Sequence, residues 1–323
     1  MFIRLKELKM KIFNADETHA LLDDFDLIEA LLPAFMGTVE APKRHQHTME
    51  MVKNEDPTTL LLMPAWEAED GVGIKIVTVT PGNMERGLAS VGGQYLLLDG
   101  TTQVPKALFD GAALTVRRTA ATSALASRYL SNKKSKTLLM VGTGALAPHL
   151  IKAHSLVRPI ENVIVWGRNF EKTDAFANTL NLKGLKIVAS KSLEEAVKEA
   201  DIISCATLST SPLILGDWVN PSTHIDLVGA YRPDMRESDD ALIIKAKVFV
   251  DTYAGALAEG GDILQPLEAQ IITQGHVLAE MKDLISENHN GRSSEKDITL
   301  FKSVGASLED YAAARLAWDV STK

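Results

Sequence analysis

The sequence predicts an α/β protein: a Rossmann-type, doubly wound parallel sheet domain plus a smaller α+β domain. Three observations carry this. Residues 136–148, KTLLMVGTGALAP, read as a buried strand, a glycine turn and a helix. From residue 137 onward, short apolar runs alternate with helical patterns, which implies crossovers and a parallel sheet covered on both faces. The N-terminal third breaks that rhythm and reads as helix followed by meandering strands. A chain of 323 residues has room for about two domains, each with a real core. Its net charge of −8 argues against nucleic acid as the main partner, while leaving room for a locally basic site.

Taken in order, the first fourteen residues, MFIRLKELKMKIFN, are basic but lack a continuous apolar core, so no signal peptide is expected. Residues 1–9 are read as frayed or extraneous, with Met10 an alternative start. No run reaches the ~20 apolar residues of a membrane span. Residues 15–36 place Leu21, Leu22, Phe25, Leu27, Ile28, Leu31, Leu32 and Phe35 at helical spacing, with Asp16 as N-cap and Pro33 as a break. His45 and His47 would share one face of a strand, with too few neighbouring ligands for a metal. Residues 60–65, 72–80, 94–99 and 106–109 read as strands separated by turn residues. Residues 112–130 are alanine-rich and helical, and 131–136 form a polar, basic linker.

Strands are expected at 137–141, 162–166, 185–189, 201–206, 224–228 and 247–251, with helices at 145–157, 170–181 and 193–199. Cys205 sits in an apolar run and reads as a small buried hydrophobe; as the lone cysteine it allows no internal disulfide, which suits a cytoplasmic protein. Residues 301–319 read as a helix that returns to the first domain. The domains are therefore 1–119 with 301–323, and 120–300.

Gly142, Gly144 and Ala147 fit G-x-G-x-x-(G/A). The first glycine permits the turn, the second admits a pyrophosphate against the backbone, and the third small residue lets helix and strand pack closely. The helix N-terminus offers unpaired N–H groups to phosphates. Gly142, Thr143, Gly144 and Ala145 are thus candidate dinucleotide contacts. After the second strand comes Gly167-Arg168-Asn169, with no acid at the strand end to bind a ribose 2′-hydroxyl. Arg168 and Asn169 are candidates there, and the charge logic favours NADPH while allowing NADH.

Several segments together resemble the ornithine cyclodeaminase/mu-crystallin family: Lys75 with Thr80-Pro81-Gly82-Asn83; Leu97-Leu98-Asp99; the run 114–121, LTVRRTAA; Val141-Gly142-Thr143-Gly144; and Phe301-Lys302-Ser303-Val304-Gly305 with Glu309-Asp310. The resemblance spans about 15–320. It implies a Rossmann domain inserted in an α+β substrate and dimerisation domain, and a homodimer formed through sheets. It also implies that Arg44, Lys75 and Arg118 clamp a substrate carboxylate, a role that suits guanidinium and ammonium groups on chemical grounds as well. Lys75 and Arg118 are the candidate catalytic residues. Glu259 matches a position near the substrate pocket; Ser90, Thr119, Gly229 and Ser303 match cofactor positions.

One segment departs from the cyclodeaminase pattern. Those enzymes carry G-(G/A)-D-x-P-G-K-x-E after the fifth strand, whereas Gly229-Ala230-Tyr231-Arg232-Pro233-Asp234-Met235-Arg236-Glu237 has Tyr231 in place of the acid. A phenol is a poor substitute for a carboxylate that must bind an ammonium and act as a base near neutral pH. The expectation is therefore an NAD(P)H-dependent oxidoreductase acting on a cyclic imino acid. Δ1-pyrroline-2-carboxylate would give L-proline, and Δ1-piperideine-2-carboxylate would give L-pipecolate. Lys75, Tyr231 or water would supply the proton. An ornithine cyclodeaminase, an alanine dehydrogenase and a cofactor-loaded binding protein like mu-crystallin stand as alternatives. No metal, nucleic acid or membrane is expected at the site.

Overall fold

The structure, a computed structural model, describes residues 10–323; the expectations for residues 1–9 lie outside the described residues. The chain forms two compact units, Met1–Arg118 with Ala306–Lys323, and Thr119–Gly305. The first is an α+β unit on a mostly antiparallel sheet, and the second an α/β unit on a parallel sheet.

The first unit opens with β1 (Lys11–Phe13), α1 (Ala15–Ala20) and α2 (Asp24–Pro33). Asn14, not Asp16, caps α1: its side chain accepts from Glu17 N–H at 2.9 Å, and the Glu17 carboxylate accepts from Asn14 N–H at 2.9 Å. Asp16 lies inside the first turn, where its charge meets the helix dipole. Pro33 does not break the helix as expected: α2 passes directly into a π-helical stretch, Ala34–Thr38, in which Gly37 has φ +99°. Five longer strands follow β1: β2 (His45–Met49), β3 (Thr58–Glu67), β4 (Gly71–Val79), β5 (Val91–Asp99) and β6 (Pro105–Asp110). They form a six-stranded mixed sheet ordered β1-β6-β5-β4-β3-β2, in which β1 alone runs parallel to its neighbour.

Alternation sets the faces of this sheet. Met63, Ala65, Lys75, Tyr95, Leu97, Ala107 and Phe109 are buried on one face. The positions between them point to the other.

Helix α3 (Gly111–Leu130) runs from the first unit into the second. The second unit contains β7 (Thr137–Val141), α4 (Ala147–Val157), β8 (Asn162–Trp166), α5 (Phe170–Thr179), β9 (Lys186–Ala189), α6 (Leu193–Glu199) and β10 (Ile202–Cys205). It continues through β11 (His224–Leu227), α7 (Asp240–Lys245), β12 (Lys247–Val250), α8 (Tyr253–Glu259), α9 (Gly261–Glu268), β13 (Val277–Glu280), α10 (Met281–Ile285) and β14 (Thr299–Lys302). The eight strands are all parallel, in the order β13-β12-β14-β11-β10-β7-β8-β9. Leu139, Val141, Ile203, Cys205, Ile225 and Leu227 belong to the buried core. Finally α11 (Ser307–Ser321) returns to the first unit, where it packs on α2, β3 and β4.

In the first unit β1 was not expected, and in the second unit two strands were not. β14 inserts between β11 and β12, so Phe301 and Lys302 are strand and the helix begins only at Ser307. A strand covered on both faces shows no alternation, and its short apolar run merges with the helical pattern after it. β13 is a four-residue edge strand with one exposed leucine, too short to register.

A polar chain is sealed inside the second unit. Ser127 Oγ is 3.3 Å from His154 Nδ1, and His154 Nε2 is 3.2 Å from Asp226 Oδ2. Ser123 and Ser204 also donate to Asp226. The residue order is that of a nucleophilic triad, but Ser127, His154 and Asp226 are each 0% exposed. With no access for a substrate, the chain serves to lock α3 and α4 to β11.

Tyr95 on β5 is fully buried, and its hydroxyl has no hydrogen-bond partner among the described residues. A Cβ at Gly73 would lie 1.8 Å from that oxygen. Gly73→Ala should therefore lower stability by about 1–3 kcal/mol in denaturant unfolding. Tyr95→Phe should be near neutral alone, because it removes an unsatisfied polar group. It should also recover part of the Gly73→Ala loss.

Candidate active site

In the second unit the sheet order reverses around β7: β8 and β9 lie to one side, β10 and β11 to the other. A crevice of about 260 Å³ opens beyond the carboxyl ends of β7, β8 and β10, the place where doubly wound sheets bind ligands. Gly142, Thr143, Trp166, Arg168, Thr207 and Ser209 are among its lining residues. Gly142 has φ +111°, and a Cβ there would lie 2.7 Å from Ala206 O, so glycine is required twice over. Gly144 and Ala145 continue the turn in exposed positions, and α4 begins at Ala147 with Pro148 in its first turn. No side chain caps α4; the N–H of Ala147 donates to Gly144 O at 3.0 Å, and Pro148 has no N–H, so the helix offers a ligand the positive end of its dipole. This loop chemistry fits a dinucleotide. Arg168 is exposed on the crevice rim, and the loop 167–169 bears no carboxylate.

The other candidates in this unit play supporting parts. Asn169 caps α5, accepting from Lys172 N–H at 2.8 Å. Gly229 donates its N–H to Glu237 at 2.8 Å. Ser303 donates to Asp251 at 3.1 Å, and Asp251 also accepts from the N–H groups of Val304 and Gly305. Thr119 is buried in α3. Glu259 is the last residue of α8 and is half-buried.

The first unit holds a buried ion cluster. Lys75 projects from β4 to the face covered by α11, and its Nζ lies 2.7 Å from Asp310 Oδ2. Arg118 reaches the same carboxylate through Nε at 3.1 Å, and Glu309 through a terminal nitrogen at 2.6 Å. Glu309 and Asp310 occupy the first turn of α11, where the dipole favours acids. Burial pushes the Lys75 ammonium down to about 8; Asp310 opposes this, while Arg118 and Arg44 add to it. Burial alone would raise the Asp310 carboxyl, but Arg118 and Lys75 more than offset it and hold it low.

Lys75 and Arg118 thus meet on one carboxylate, with Arg44 close enough to act on Lys75 through its field. Ser90 belongs to this unit; its Oγ is buried and its carbonyl accepts from Thr80 N–H at 2.7 Å. His45 and His47 stand exposed on β2. Among the described residues no group of three or more His, Cys, Asp or Glu is placed to hold a metal. Sequence reasoning did not assign roles to Glu309 and Asp310. The available signal was two adjacent acids opening an otherwise apolar helix.

A profile of the ornithine cyclodeaminase/mu-crystallin family matches residues 9–323. A Δ1-pyrroline-2-carboxylate reductase from Colwellia psychrerythraea is 36% identical over 308 residues, covering 94% of this chain and 97% of that one. The structure of a Thermococcus litoralis Δ1-pyrroline-2-carboxylate reductase in complex with NADH and L-proline superposes with TM-score 0.90 at 33% identity, covering 97% of this chain and 98% of that chain. An archaeal alanine dehydrogenase dimer with bound NAD gives TM-score 0.88 at 28% identity, covering 97% and 96%.

The ion cluster sets a stability test. Asp310→Asn leaves Lys75 and Arg118 buried against a neutral group, and should cost about 3–5 kcal/mol at neutral pH. Because the Asp310 carboxyl is held low, the stability it confers is present above the ordinary carboxylate range and lost as pH falls through its folded value. The difference between wild type and Asp310→Asn in urea midpoints should therefore shrink on acidification.

Proposed function

The chain belongs to the ornithine cyclodeaminase/mu-crystallin family, and from that premise we propose that it reduces cyclic imino acids with a nicotinamide dinucleotide. Δ1-pyrroline-2-carboxylate is the substrate and L-proline the product; Δ1-piperideine-2-carboxylate is taken as a second substrate.

The observation that carries this reading is the buried meeting of Lys75 and Arg118 on Asp310, with the charge of Arg44 acting on the same lysine. Cationic groups gathered at one place suit a carboxylate that must be held in a fixed orientation. Ornithine brings two ammonium groups besides its carboxylate, and each needs an acid. With Tyr231 where the cyclodeaminase pattern has an acid, no carboxylate stands at that position to take the second ammonium.

When bound, the dinucleotide supplies a hydride for the carbon of the C=N bond. Gly142, Thr143, Gly144 and Ala145, with the dipole of α4 behind them, would hold its pyrophosphate, and Arg168 would meet the adenosine ribose. Arg44, Lys75 and Arg118 fix the substrate carboxylate and so set which ring carbon is presented. The lack of an acid at 167–169 favours NADPH, with NADH accepted. The first unit acts as substrate and dimerisation domain, and the second as the dinucleotide domain.

The outer face of the mixed sheet supports a homodimer. Leu62, Pro64, Trp66, Ile74, Leu96 and Leu98 alternate with the buried positions and remain only half-buried there, while Ile76 is 39% exposed. A second copy would cover this apolar face, as isologous association allows. Among the described residues no helix is long and apolar enough to cross a membrane. A need for reduced nicotinamide and the lone, buried Cys205 thiol suit the cytoplasm.

Purified protein should oxidise NADPH or NADH, followed by absorbance, on addition of Δ1-pyrroline-2-carboxylate, with L-proline formed in equal amount. Absence of oxidation with both cyclic imines would remove the assignment. Arg168→Glu should shift the ratio of kcat/KM for NADPH over NADH toward NADH by about tenfold or more. Lys75 is charged below about pH 8, so kcat/KM for the imino acid should fall as pH rises through that value. Lys75→Arg, whose charge does not titrate in that range, should lack this limb even if slower overall.

A further inference from the structure

A second buried charge cluster lies behind the crevice, with two carboxylates and one ammonium. Lys302 ends β14 and is fully buried, its Nζ 3.2 Å from Asp262 Oδ2. The other oxygen of Asp262 accepts from the backbone N–H of Glu237 at 2.9 Å, of Ser238 at 2.9 Å, and from Ser238 Oγ at 2.8 Å. This fixes the backbone at Glu237, whose side chain is also fully buried. Glu237 Oε1 accepts from Thr207 N–H at 2.6 Å and from Thr207 Oγ at 2.8 Å. Its Oε2 accepts from Gly229 N–H at 2.8 Å and Ala230 N–H at 3.3 Å.

Four donors thus converge on one carboxylate, and two of them belong to Thr207, a wall residue of the crevice. The fit is tight. A Cβ on Gly229 would lie 2.0 Å from Thr207 O and 2.3 Å from Glu237 Oε1. Glycine at 229 is explained by this approach. Lys302, Asp262 and Glu237 form a continuous path from β14 to the loop after β10, ending on the wall where Gly142 meets Ala206.

We propose that Glu237, held by Asp262 and Lys302, is a positioning residue for the dinucleotide: it fixes the Thr207–Ser209 wall of the crevice without touching the ligand. The inference rests on the crevice taking a nicotinamide dinucleotide. An ionised carboxylate is the side chain suited to this place, because all four groups facing it are donors. Glutamine has the same shape but turns one arm into a donor, so either Thr207 or the pair Gly229 and Ala230 loses its acceptor and the wall shifts. The imino acid clamp is built from other residues, so its affinity is left unchanged.

The test is direct titration of NADH by its fluorescence, with full-length wild type, Glu237→Gln and Glu237→Asp. Glu237→Gln should raise the NADH Kd about tenfold, while KM for the imino acid at saturating NADH stays within about twofold. Glu237→Asp should recover part of the NADH affinity, since charge returns with a shorter reach. Lys302→Met should move the NADH Kd in the same direction from a residue remote from the wall. A folded Glu237→Gln that binds NADH as wild type does would overturn the inference, as would equal losses in NADH and imino acid affinity. Should Glu237→Gln not fold, Ser238→Ala, which removes one donor from Asp262, decides: a raised NADH Kd supports the inference and an unchanged one overturns it. Wild type that binds no NADH would instead bring down the reading of the crevice itself, a separate outcome.

Discussion

Asp310 neutralises two cations from two different elements, and the architecture of the first unit follows from that demand. Lys75 on β4 and Arg118 on α3 are both buried, and an unpaired buried charge costs several kcal/mol. Neither can be tolerated unless α11 delivers its carboxylates to both. The helix does so with its first turn, where its own dipole stabilises acids. Glu309 serves twice: one oxygen takes the Arg118 guanidinium, and the other accepts the N–H of Ala306 at the helix start. Fixing the cations and starting the helix are thus one event.

The second unit solves a different problem by similar means. A dinucleotide crevice needs backbone N–H groups aimed outward, and loops that aim N–H groups outward lack internal bonds to hold them. Buried carboxylates supply the missing hold. Glu237, Asp262 and Asp251 each collect donors from loops at the carboxyl ends of strands. Each acid satisfies backbone that neither helix nor ladder reaches. The ammonium of Lys302 lies against Asp262, and its charge also acts on Glu237.

The dinucleotide half was legible in the sequence, since β7, β8, β10 and β11 are apolar runs and the glycine turn has little other use at that spacing. Its strands lie within a residue or two of expectation. β14 was not legible, because Thr299–Lys302 is buried on both faces and carries no period that separates strand from helix. The cations of the clamp could be named, but their anchor could not. Asp310 lies 192 positions from Arg118, and pairing at that distance leaves no local pattern. The cap on α1 went to Asn14 and not Asp16 because a capping box needs an acceptor three residues before Glu17, a spacing that Asn14 alone satisfies. The glycine at 229 could be seen, but the reason for it, the close approach of Thr207 and Glu237, is purely tertiary.

The choice of lysine at position 75 has a chemical consequence. A buried ammonium at about 8 remains mostly charged near neutral pH, so it can grip a carboxylate. It is also a stronger acid than an ordinary lysine. In the proposed reduction the ring nitrogen gains a proton as the neighbouring carbon gains hydride, and Lys75, Tyr231 or water would supply it. Arginine would grip as well and donate far worse. Asp310 sets the compromise by opposing the effect of burial on the Lys75 ammonium. Sharing Asp310 with Arg118 keeps that carboxylate from acting on Lys75 alone, which leaves the lysine both charged and able to donate.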